Sequence, residues 1–75
     1  MRKPVVFREQ IDAVKIPEGK EVTIDKGLDG FIVQTRGGNV TIRIPEKIWQ
    51  VQITAEQVDA LETPDGDSVE LDLEE

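Results

Sequence analysis

A chain of 75 residues closes only one hydrophobic core, and this one has a net charge of −7 and neither cysteine nor histidine. Without thiol or imidazole groups it can build no Ser-His-Asp or Cys-His site and no zinc, haem or iron–sulfur site with thiolate or imidazole ligands, which leaves only oxygen ligands for a hard cation. We therefore expect no enzyme, no catalytic residue, no cofactor and no metal ligand. The acid excess also opposes binding to nucleic acid and to anionic lipid.

Short runs in which apolar and polar residues alternate predict β-strands along most of the chain. Residues 5–7 after Pro4 predict an edge strand. Residues 11–16 predict a strand whose phase changes between Ala13 and Val14, as a bulge or a change of sheet allows. Residues 31–33 are apolar at three consecutive positions, so a strand there would be apolar on both faces. The clearest alternations are Val22 and Ile24; Val40, Ile42 and Ile44; Trp49, Val51 and Ile53; and Val69, Leu71 and Leu73.

Turn and helix signals fall between these runs. Gly37 and Gly38 before Asn39 predict a β-hairpin, and Thr54 with Gln57 predicts the start of one short helix near residues 55–62. Short strands at this spacing predict a single mostly β domain over residues 1–75. Its expected architecture is a small antiparallel β-barrel or sandwich of SH3-like size, with five to seven short strands.

Charge is divided unevenly along the chain, which suggests protein partners. All nine Lys and Arg lie in residues 1–47, whereas residues 48–75 hold nine acids and no base. Arg36 and Arg43 near the hairpin predict a basic patch. An acidic row on the last predicted strand would either oppose edge aggregation or dock a partner with a basic surface. That row comprises Glu70, Asp72 and Glu74.

Two further features admit two readings each. Trp49 lies on the apolar phase of its run, so it is either the largest core residue or an anchor at an interface. Residues 65–70 carry three carboxylates, as an oxygen-ligand cation site would, but lack the EF-hand spacing. The sequence favours an Asp-Gly turn that starts a strand over such a site.

Four blocks of the sequence resemble the N-terminal domain of SufT-type proteins of the SUF iron–sulfur assembly system. The blocks are residues 12–24, which include Ile16-Pro17-Glu18-Gly19 and Val22-Thr23-Ile24; Leu28-Asp29-Gly30-Phe31-Ile32-Val33; Gly38-Asn39 leading to Arg43-Ile44; and Asp59-Ala60-Leu61. They occur in the family's order over about 50 residues, with Asp29 in place of the first glycine of the family's turn. The resemblance implies an accessory role in cluster maturation through protein contacts.

Three functions follow as hypotheses. The first is a non-enzymatic protein-interaction module that assists iron–sulfur cluster assembly. The second is a structural or regulatory subunit that forms a homo-oligomer or caps a larger enzyme, since a core this small gains stability from a partner. The third is a weak oxygen-ligand cation binder. The lack of cysteine and of any apolar stretch long enough to span a membrane predicts a cytoplasmic protein with no membrane partner.

Overall fold

The computed structural model describes residues 3–69, which form seven strands and one short 3-10 helix. The strands are β1 (Lys3–Phe7), β2 (Ile11–Lys15), β3 (Lys20–Ile24), β4 (Asp29–Arg36), β5 (Asn39–Ile44), β6 (Trp49–Thr54) and β7 (Leu61–Glu62). The 3-10 helix (Ala55–Ala60) lies between β6 and β7.

The strands of the described part pair antiparallel in one sheet, in the order β3-β2-β6-β5-β4-β1-β7. This sheet curls into a half-barrel with a Cα radius of gyration of 11.1 Å. The Phe7 carbonyl accepts a hydrogen bond from Gly27 N–H at 2.7 Å, and Phe7 N–H donates to the Leu28 carbonyl at 3.0 Å. These two bonds bring the β3–β4 connection onto the end of β1. The predicted mostly β fold of barrel type is confirmed.

The apolar phase of each strand faces one shared interior. Alternation places the even-numbered residues of β5 and the odd-numbered residues of β6 inside, as the sequence predicts. The largest side chains that are fully buried are Phe7, Ile24, Ile42, Ile44, Ile53, Leu61, Val5, Val40 and Val51. The core is therefore dominated by β-branched residues, which suit a pleated surface.

Two strand predictions are wrong in detail. β2 keeps an unbroken register with β3, so the expected phase change between Ala13 and Val14 does not occur, and Val14 lies on the outer face. The register shift occurs instead in β4, between Ile32 and Gln34. β1 is not an edge strand, because the two residues of β7 pair with its end.

The predicted helix start is confirmed, with a shorter helix than expected. Gln57 Oε1 accepts a hydrogen bond from Thr54 N–H at 3.0 Å, which is the expected capping contact. Gln57 Nε2 also donates to the Asp12 carbonyl at 2.7 Å and so ties the helix to β2. The helix ends at Ala60 because Leu61 pairs with Phe7 in the sheet.

Candidate protein-contact site

Two turns meet at one corner of the half-barrel and define a groove beside Trp49. One turn, at residues 16–19, joins β2 to β3, and the other, at residues 45–48, joins β5 to β6. Ile16 N–H donates to the Gln50 carbonyl at 2.8 Å, which holds the end of β2 against β6. We call this surface the Trp49 corner and define it as Lys15, Arg43, Lys47, Ile48 and Trp49.

Trp49 lies at the border between the core and the solvent. It pairs with Ile44 across β5 and β6 and packs against the core, yet it remains only half-buried. Lys15 Nζ lies 5.5 Å from the centre of its ring and Lys47 Nζ lies 5.8 Å from it, within the range of cation–π attraction. The ring is therefore shared between the core and a surface that carries two lysines.

Ile48 is the least expected residue of the corner. Its side chain is 84% exposed and its φ is +56°, in the left-handed region that β-branched residues rarely adopt. The turn is closed by hydrogen bonds from Lys47 N–H to the Ile44 carbonyl (3.2 Å) and from Ile48 N–H to the Pro45 carbonyl (3.1 Å). A Gly or Asn would fit this backbone without strain. The exposed Ile48 and the half-buried Trp49 thus line the same groove and form an apolar patch in it.

Relief of this strain should stabilise the protein. We expect Ile48→Asn to raise the free energy of unfolding by about 1 kcal/mol, because Asn tolerates positive φ better than a β-branched residue does. Val14→Asn is the matched control, since Val14 is also an exposed apolar residue but has no positive φ. Urea unfolding of both variants measures the difference. A loss of stability in Ile48→Asn would contradict the strain.

The charges of the corner leave a basic surface. Lys15 Nζ forms an ion pair with Glu18 Oε2 at 3.4 Å. A hydrogen bond from the Glu18 backbone N–H lowers the pKa of the Glu18 carboxyl below its ordinary value, and the interaction with Lys15 lowers it further. Within residues 3–69, Arg43 and Lys47 have no ion-pair partner. Their two charges therefore remain available to an acidic partner.

The other predicted contact residues do not all join this corner. Arg36 lines a separate polar groove with Gln34 and Thr41. Arg36 pairs with Asn39, which is four residues from Arg43 along β5, or about 13 Å at the usual rise per residue. The structure therefore divides the two arginines between two grooves. The predicted acidic row lies outside the described residues: Glu70, Asp72 and Glu74.

The described part of the carboxylate run at residues 65–70 forms a turn. Gly66 N–H donates to the Thr63 carbonyl at 2.8 Å, and Asp67 N–H donates to Thr63 Oγ1 at 3.0 Å. Gly66 has a φ of +91°, as the reversal requires. Among residues 3–69 no three acidic side chains are grouped to hold a metal ion, and Glu70 lies outside that range.

The chain matches no protein-family model, no curated protein and no solved structure. The resemblance to SufT-type proteins therefore rests on the residue blocks themselves. Across residues 3–69 there is no helix long and apolar enough to cross a membrane.

Proposed function

We propose that this protein is a non-enzymatic interaction module that binds a protein partner through the Trp49 corner. The observation that carries the proposal is Ile48, which is held exposed and at positive φ in the same groove as the half-buried Trp49. Tryptophan and arginine are enriched among the residues that dominate binding energy at interfaces. With Arg43 and Lys47 at its rim, the corner suits a partner segment that combines apolar and acidic side chains.

We further propose that the partner belongs to iron–sulfur cluster assembly. The support is the residue blocks that resemble SufT-type proteins, two of which reach the Trp49 corner. Ile16 and Pro17 of the first block form one wall of its groove, and Arg43 of the third block lines it. A chain without thiol or imidazole groups would serve this pathway by contacting other proteins.

Capture of partners from the native cell tests both proposals. We expect the double variant Lys47→Glu with Ile48→Ser to lose proteins that the wild type recovers. Lys26→Glu is the matched control for the charge reversal. Lys26 lies in the β3–β4 connection, outside the groove, and Lys26→Glu changes the net charge by the same amount as Lys47→Glu. Equal recovery by all three proteins would contradict the Trp49 corner as the contact site.

The pathway needs its own readout. If the partner belongs to cluster assembly, the captured proteins include assembly factors, and deletion of this protein lowers the activity of iron–sulfur enzymes in the cell. Normal activity of those enzymes in the deletion strain, with no assembly factor among the captured proteins, would remove the pathway and leave the contact site standing.

A structural subunit of a homo-oligomer is the second candidate function, and one observation favours it. Within the described residues β3 pairs only with β2, so its outer edge presents free backbone groups. Such an edge can pair with a strand of another chain. β3 is five residues long and starts with Lys20 and Glu21, charges that limit edge-to-edge pairing.

A further inference from the structure

The chain carries a basic apolar surface and, outside the described residues, an acidic apolar segment. The Trp49 corner combines Ile48 and Trp49 with Arg43 and Lys47. Residues 70–75 consist of four acids and two leucines, in the order Glu-Leu-Asp-Leu-Glu-Glu. The two are therefore complementary both in charge and in apolar content.

We infer that the Trp49 corner binds residues 70–75 of a second copy of this chain. This inference rests on the proposed function and names one occupant of the same site. The carboxylates would pair with Arg43 and Lys47, which have no ion-pair partner within residues 3–69. The leucines would cover the exposed Ile48 and the exposed part of the half-buried Trp49, and so remove apolar surface from water.

Reciprocal exchange makes the assembly a closed dimer. If each copy places its segment on the corner of the other, the two contacts are related by a two-fold axis, and no surface is left to add a third copy. The first contact raises the effective concentration for the second, so two weak contacts act together. The contact depends mainly on pairs of exposed charges, and salt screens such pairs. The dimer therefore weakens as the salt concentration rises.

A charge-exchange experiment in sedimentation velocity tests the inference. The corner variant carries Arg43→Glu with Lys47→Glu, and the segment variant replaces all four acids of residues 70–75 with lysine. We expect the wild type to dimerise with increasing concentration up to about 100 µM. Each variant alone should be monomeric, because its corner and its segment have the same sign. An equimolar mixture of the two should dimerise, because both contacts are restored between unlike copies.

Controls separate a specific contact from a general effect of net charge. Lys26→Glu with Arg36→Glu changes the net charge by as much as the corner variant does, at residues outside the Trp49 corner, and should dimerise like the wild type. A monomeric wild type at all concentrations, or a mixture that stays monomeric, would overturn the inference. A dimer formed by the segment variant alone would also overturn it.

The outcomes also distinguish this inference from the proposed function. A monomeric wild type whose captured partners are lost in Lys47→Glu with Ile48→Ser overturns the dimer and leaves the Trp49 corner as a site for another protein. A wild type that forms the predicted dimer supports the inference whichever partners are captured.

Discussion

We expect Phe7→Ala to lower the free energy of unfolding by about 3–5 kcal/mol. Phe7 is completely buried, and its backbone bonds to Gly27 and Leu28 join β1 to the connection that follows β3. It also pairs with Leu61 in β7. Removal of the ring leaves a cavity where three parts of the half-barrel meet. A domain of this size has a total stability of about 4–11 kcal/mol, so the loss is a large fraction of it.

Val6→Ala serves as the matched control, because Val6 is the next residue on the opposite phase and only half-buried. Its loss should be about 1 kcal/mol or less. Urea unfolding followed by far-ultraviolet circular dichroism gives both values. Equal losses at the two positions would contradict the placement of Phe7 in the interior.

We expect Gly30→Ala to lower the free energy of unfolding by about 1–3 kcal/mol through overpacking. A Cβ atom at Gly30 would lie 2.8 Å from Ile42 Cγ2 and 3.1 Å from the Arg43 carbonyl oxygen. Ile42 is fully buried in the centre of the sheet, so it has little room to move. β4 and β5 must then separate, or the Ile42 side chain must leave its preferred rotamer.

Gly38→Ala is the control for this effect. A Cβ atom at Gly38 would meet no heavy atom within 4 Å, and Gly38 does not have a positive φ. Thermal unfolding should therefore show a clear drop in melting temperature for Gly30→Ala and almost none for Gly38→Ala. A Gly30→Ala protein as stable as the wild type would mean that β4 and β5 are farther apart at this point.

The sequence predicts a strand best where one face of the strand is buried in the core and the other is exposed to solvent. The apolar residues of β5 and β6 alternate because these strands lie in the middle of the sheet with one face on the core, although Thr41 on the other face of β5 is also buried. The prediction is wrong for β2, where Val14 is apolar but lies on the outer face, so hydrophobicity gives the wrong phase. β1 is interior to the sheet because β7 pairs with it, and a two-residue strand has no periodicity to detect.

The candidate site is predictable only in part. Trp49 and Arg43 stand out in the sequence, as a single tryptophan and a base at the end of an alternating run. Lys15 reaches Trp49 through the pairing of β2 with β6, which the sequence does not specify. The positive φ of Ile48 depends on the closure of the β5–β6 turn, and an isoleucine in the sequence does not indicate a positive φ. Sequence reasoning therefore missed this residue.

Fluorescence of Trp49, the one tryptophan of the chain, tests most directly whether the Trp49 corner binds acidic apolar segments. The wild-type protein is titrated with a peptide of residues 69–75 and, separately, with a peptide in which every acid is replaced by lysine. We predict a saturable blue shift of the emission with the acidic peptide, weakened by salt, and no shift with the lysine peptide. An emission spectrum that neither peptide changes would contradict the assignment of this corner as a binding surface.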